Sequence, residues 1–109
     1  MPEGWSECID GLREDGSLSD QASADLLDAV RPRWEPQVIP RTSLNVPFFT
    51  RLGDEWPFEY TVTAESTGPA FVFEFRRRDT VTTSTRCFAR EAPEILDEFL
   101  TLLVRTGDP

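Results

Sequence analysis

Residues 57–75 carry the strongest constraint on the fold: two alternating stretches, "PFEYTVTAE" and "AFVFEF", joined by "STGP". Alternation sends successive side chains to opposite faces of a strand. In the first stretch Phe58, Tyr60, Val62 and Ala64 share one face, and Glu59, Thr61, Thr63 and Glu65 share the other. In the second, Phe71, Phe73 and Phe75 lie together, with Val72, Glu74 and Arg76 opposite. A turn of two or four residues at "STGP" makes a hairpin. Closing it with Glu65 beside Ala70 sets Ala64 against Phe71, Val62 against Phe73 and Tyr60 against Phe75. The same register puts Glu59 beside Arg76. A hairpin apolar on one side needs a second layer over that side.

The flanking segments supply that layer. Trp5, Cys8, Ile9 and Leu12 recur at helical spacing, with Gly16 as a stop. Ser19 is the expected cap of a second helix whose stripe is Ala22, Leu26, Leu27, Ala29 and Val30, with Leu18 packed before the cap. Pro32, Pro36 and Pro40 predict an irregular connector over residues 31–43. "SLNVPFFTRL" reads as a strand demoted to an edge by Pro47. "EAPEILDEFLTLLVRTG" reads as the terminal helix, with Pro93 in its first turn, acids early, Arg105 late and Gly107 as its stop. The expected fold is α+β, a single domain over residues 1–109. An N-terminal helical segment spans 1–30, the connector 31–43, an antiparallel β-meander of about four strands 44–90, and a helix 92–106. Helices on one face of the sheet make a two-layer sandwich.

After the second alternating strand comes "RRRDT". If Phe75 points inward and pairs with Val81, with Cys87 and Ala89 also inward, then Arg76, Arg77 and Arg78 form the hairpin connection. Two readings stay open for this cluster: a solvated turn, screened by water and salt, and a contact with a protein partner. Nucleic acid is disfavoured, because one basic cluster without a wider basic face or stacking platform is a poor phosphate grip. The chain carries 20 acidic residues against 11 basic ones, all of them Arg, for a net charge of -9. Such a surface repels nucleic acid and anionic membrane and attracts basic protein surfaces.

The chain has no His and no Lys, so the usual general base, Schiff-base nucleophile and imidazole metal ligand are missing. Cys8 and Cys87 have no metal-ligand or CxxC spacing; reduced thiols and a disulfide both remain possible. No enzyme activity, cofactor or metal is expected. No stretch reaches the roughly 20 apolar residues of a membrane span, and the acidic start "MPEGWSECID" lacks the positive segment of a signal peptide. A cytoplasmic protein is expected. The outward sheet face should be rich in Thr and charge, and it is the candidate docking surface. Its candidate residues are Asp54, Glu55, Trp56, Glu59, Glu65, Glu74, Arg76, Arg77, Arg78, Arg86 and Phe88, with Trp56 and Phe88 as apolar anchors.

The order of "GWSECIDGLREDG", the meander strands "FEYTVTAE" and "FVFEFRRRD", and "RCFAREAPEILDEFL" resembles actinobacterial polymorphic-toxin immunity proteins of the immunity protein 61 type. That resemblance implies a cytoplasmic inhibitor that blocks the active site of a cognate toxin, here one with a basic cleft. It departs from the family in its short length and in "RPRWEPQVIPRTSLNVP". Exposed carboxylates on the sheet face would stand in for substrate phosphates, and exposed arginines would meet acids on the toxin rim. Two alternatives remain: a secretion or folding chaperone holding a client on its sheet face, and a phage-type nucleic-acid mimic or structural module.

Overall fold

A computed structural model describes residues 4–106. The chain is α+β, with three helices and a five-stranded antiparallel sheet in the order β1-β2-β3-β4-β5. Helix α1 spans Trp5–Asp15 and α2 spans Leu18–Trp34. The strands are β1 Val38–Ser43, β2 Val46–Arg51, β3 Tyr60–Ser66, β4 Ala70–Arg77 and β5 Thr80–Phe88. A 3-10 turn, Ala89–Glu91, leads into α3, Ala92–Thr106.

Helix α1 ends where Gly16 takes the left-handed conformation, φ 78°, the backbone state glycine adopts most cheaply. Ser17, rather than Ser19, caps α2, its Oγ accepting from Asp20 N–H at 3.0 Å. Leu18 is thereby the first helical residue and stands 85% exposed instead of packing before the cap.

The segment expected to be an irregular connector over 31–43 is regular. Helix α2 runs through Pro32 to Trp34, and β1 contains Pro40. A proline inside a helix costs about 3 kcal/mol. Deleting a buried Trp side chain costs about 3–5 kcal/mol, and Trp34 is buried, with Nε1 donating to Asp97 Oδ1 at 2.8 Å. Arg33 joins the same carboxylate at 2.7 Å, so α3 holds the last turn of α2 in place.

Pro40 fits β1 because of where its nitrogen faces. Leu52 N–H donates to Gln37 O, so with the Ile39↔Thr50 and Arg41↔Phe48 register the bonded pairs fall at odd-numbered β1 residues. Val38, Pro40 and Thr42 then turn their backbone groups to the outer edge. Proline loses nothing there, and Val38 O accepts from Trp5 Nε1 at 3.1 Å. On β2 the same count turns the nitrogen of Pro47 toward β3. That ladder is short, holding Phe48↔Thr63 and Phe49↔Val62. The β1–β2 turn is Leu44–Asn45, both at positive φ, 51° and 64°.

The β3–β4 hairpin keeps the expected faces in a different register. Ala64 pairs with Phe73, Val62 with Phe75 and Thr61 with Arg76, a slip of two residues. Thr67 N–H donates to Ala70 O, closing a two-residue loop at Gly68–Pro69, with Gly68 at φ 94°. A positive φ at the first loop position is the type II′ pattern glycine permits. A slip of two preserves every side chain's face.

The β4–β5 hairpin also turns more tightly than expected. Arg76 and Arg77 belong to β4, opposite Val81 and Thr80, and Arg78–Asp79 alone make the turn. An irregularity between Phe75 and Arg76 sets Phe75 against Thr83 rather than Val81. Val81 thus lies opposite Arg76 on the outer face, 41% exposed. The inward set on β5 is Thr83, Thr85 and Cys87, and Ala89 falls in the 3-10 turn.

One core joins the layers. Trp5, Ile9 and Leu12 of α1, Leu27 and Val30 of α2, and Leu96, Phe99, Leu100 and Leu103 of α3 bury against Val38, Phe49, Val62, Phe71, Phe73 and Phe75. Phe73 meets Phe99 with ring centroids 5.8 Å apart. Ala22 is only partly buried and Ala29 is exposed, so the α2 stripe is carried by Ala24, Leu26, Leu27, Val30 and Trp34. The expected stop at Gly107 lies outside the described residues.

Candidate functional site on the uncovered sheet face

Phe49 is fully buried on the inner face, so pleating turns its neighbour Phe48 outward, beside Thr63 of β3. The β2–β3 connection folds back over this position through a cis Trp56–Pro57 peptide. It sets the Phe58 ring 6.3 Å from Phe48 and the Trp56 ring edge-on at 6.0 Å from Phe58. Arg41 stands opposite Phe48 on β1, donates through Nε to Thr50 Oγ1 at 3.2 Å and lays its guanidinium 4.9 Å from the Phe58 ring centre. The result is an aromatic shelf. Across it stands the arginine hairpin, and Thr61 and Thr63 floor the space between. The groove has a volume of about 550 Å³, with Trp56, Phe58, Arg76, Arg78 and Asp79 along its walls. Trp56 is 82% exposed.

The charges here are largely paired with one another. Glu74 Oε1 accepts from Arg76 at 2.8 and 3.1 Å, and from Thr63 Oγ1 at 3.4 Å. Glu59 Oε2 accepts from Arg77 at 3.1 Å and from Arg78 at 3.3 Å. The Arg78 and Arg77 guanidiniums hold the Glu59 carboxyl below its ordinary value. Arg77 also lies 6.0 Å from the Tyr60 ring centre. Asp54 is bonded to Arg51 at 2.9 Å. Glu55 and Glu65 are exposed and, among the described residues, make no ion pair.

Charge is therefore divided by layer. Residues 36–88, the sheet and its loops, hold six acids and six arginines. Residues 4–35, the first two helices, hold eight acids against three arginines, and residues 89–106 hold four against two. The sheet layer is neutral, and the helical layer carries the net negative charge.

Of the candidate residues read from the sequence, the fold gathers Trp56, Arg76 and Arg78 around the groove. Glu59, Glu74 and Arg77 sit behind them as ion-pair partners. Asp54 and Glu55 lie in the β2–β3 connection, and Glu65 lies toward the far end of β3, opposite Val72. Arg86 and Phe88 sit at the far end of β5, away from the groove; Phe88 is 61% exposed. The aromatic groove residues Phe48 and Phe58 were missed, as was Arg41, which lies against the Phe58 ring. Extending the alternation of β3 back through Phe58 puts that ring inward, but β3 begins at Tyr60. Two signals could have placed them. Adjacent Phe48 and Phe49 must face opposite ways in any strand, and Pro57 interrupts the alternation just before Phe58.

Cys8 and Cys87 are not joined in a disulfide. Burial, with Glu91 nearby, pushes the Cys87 thiol up, away from the reactive thiolate. Among the described residues no group of three or more Cys, Asp or Glu side chains is placed to hold a metal ion, and no helix is long and apolar enough to cross a membrane. What the groove offers is contact area, aromatic faces and guanidinium donors.

In comparisons with protein-family models, characterised proteins and solved structures, nothing matches this chain.

Proposed function

We propose that this chain is a small acidic binding protein of the immunity type, which neutralises a cognate toxin by docking on it through the uncovered sheet face. The observation that carries the reading is Trp56: a large aromatic left 82% exposed at the lip of a groove, held edge-on by Phe58 and rimmed by arginines. Tryptophan and arginine dominate the binding energy of protein interfaces, because they bury large area with directional contacts. The division of charge supports a basic partner. The acidic helical layer steers it at long range, and the neutral sheet face receives it without a net repulsive charge. Asp54, Glu59 and Glu74 already hold arginines, so in this reading attraction falls to the helices and adhesion to the aromatic shelf. Function in the cytoplasm belongs to the same proposal.

The test is an affinity capture from the native lysate, followed by binding measurements with Trp56→Ala. One stoichiometric partner with a basic, toxin-like domain is expected. Trp56→Ala should weaken that complex by at least about 2 kcal/mol, or roughly 30-fold, while leaving the thermal midpoint unchanged. Equal binding by the variant would remove this face from consideration, and a mixture of clients in the eluate would favour the chaperone reading instead.

A further inference from the structure

The two edges of the sheet are finished differently. On β1, Pro40 removes a donor from the outer side and the Trp5 indole caps Val38 O. On β5 neither device is present. Ala89 N–H donates to Pro69 O, so with the Phe71↔Cys87, Phe73↔Thr85 and Phe75↔Thr83 register the backbone groups of Ser84, Arg86 and Phe88 point away from β4. β5 is last in the sheet order, so no strand receives them. Every β5 residue is exposed except the half-buried Thr85 and Cys87. "TVTTSTRCF" holds one charge, no proline and mostly β-branched residues. The irregularity in its pairing lies at its start, near Thr82, so the stretch from Ser84 to Phe88 carries only Arg86 of the usual protections of a free edge.

Charge tells what fits there. Arg76 is paired with Glu74, and Arg77 and Arg78 share Glu59. Arg86 and Arg90 have no ion-pair partner among the described residues. They stand on either side of exposed Phe88. Arg90 shares with it a shallow recess of about 390 Å³ that includes Pro69, and Arg86 another of about 260 Å³ that also contains Glu91. A second copy fits this edge poorly. Antiparallel self-pairing centred on Ser84 sets Arg86 and Phe88 of one copy beside Thr82 and Thr80 of the other, next to its arginine hairpin.

We infer that the open edge of β5 takes up an extended acidic segment of a partner protein as a sixth strand. Backbone bonds at Ser84, Arg86 and Phe88 supply affinity. Carboxylates four residues apart on the incoming strand pair with Arg86 and Arg90, and the side chain midway between them, on the same face, rests on Phe88.

The probe is a capped nonapeptide alternating Thr and Glu, with the Thr–Lys peptide as its control, followed by amide NMR and hydrogen exchange. The Thr–Glu peptide should slow exchange at Ser84, Arg86 and Phe88 and bind at least ten-fold more tightly than the Thr–Lys peptide. The double variant Arg86→Glu, Arg90→Glu should reverse that preference. Ser84→Pro removes one outward donor and no ladder bond, so it should abolish binding while the amides of Thr83 and Thr85 stay protected. Trp56→Ala should leave peptide binding unchanged, which separates this edge from the groove. Equal affinity for both peptides, no binding of either, undiminished binding to Ser84→Pro, or protection confined to the groove would each overturn the inference.

Discussion

Leu44 holds φ at 51° and is 97% exposed. A β-turn with two positive φ values suits Asn and Gly, and leucine there pays a steric cost of about 1 kcal/mol with no burial in return. Leu44→Asn should therefore raise stability by about 0.5–1 kcal/mol, read as a higher urea midpoint at unchanged m-value. The same residue explains why β1 was not legible. "SLNV" lacks the glycine or Asn-Gly signal of a tight hairpin, and three prolines nearby argue for irregular chain. What overrode those signals is tertiary: the Trp34 side chain and Asp97 hold the end of α2, and the orientation of the outer edge makes Pro40 harmless. Sequence periodicity carries no record of which side of a strand its neighbour occupies.

At the scale of elements, the alternating stretches at 57–75 foretold the strands and, Phe58 apart, their inner face, and the terminal helix was equally plain in its apolar stripe. Register was a different matter. Glu65 beside Ala70 and Glu65 beside Val72 put the same residues on the same face, so hydrophobic pattern cannot choose between them. The choice lies with Gly68, whose positive φ fits a two-residue loop. The slip has an electrostatic consequence. It gives Glu59 to Arg77 and Arg78, and leaves Arg76 to Glu74. Because its folded-state value is depressed, Glu59 contributes stability at pH above its ordinary 4.5 and loses it as pH falls through the lower folded value. Asp15 runs the other way: hydrogen bonding to Asp20 raises its carboxyl, so its contribution to stability increases on acidification. Comparing wild type with Glu59→Gln at each pH cancels the Asp15 effect. The variant should be the less stable above pH 4.5 and converge on wild type below it, and a constant difference at all pH values would deny the ion pair any role.

For the whole molecule, the separation of charge between layers was invisible in the chain, because net charge says nothing about which face holds it. The linear sequence reads as acidic ends around one basic hairpin; folding places both ends in one layer. The separation predicts a kinetic split. Neutralising Glu7, Asp10 and Glu14 to Gln on the exposed side of α1 should slow association with a basic partner, most strongly at low salt, and leave dissociation nearly unchanged. Trp56→Ala should do the reverse. Stopped-flow association and dissociation rates over a salt series separate the two.

The contrast between the sheet's edges has a consequence for assembly. In polymer terms this protein approaches a monofunctional unit: Pro40 and Trp5 quench two of the outward groups at the β1 end, and the β5 end carries neither device. A monofunctional unit terminates growth instead of propagating it. Once a strand joins at β5, further growth of a sheet would have to continue from the partly quenched β1 edge, which disfavours it.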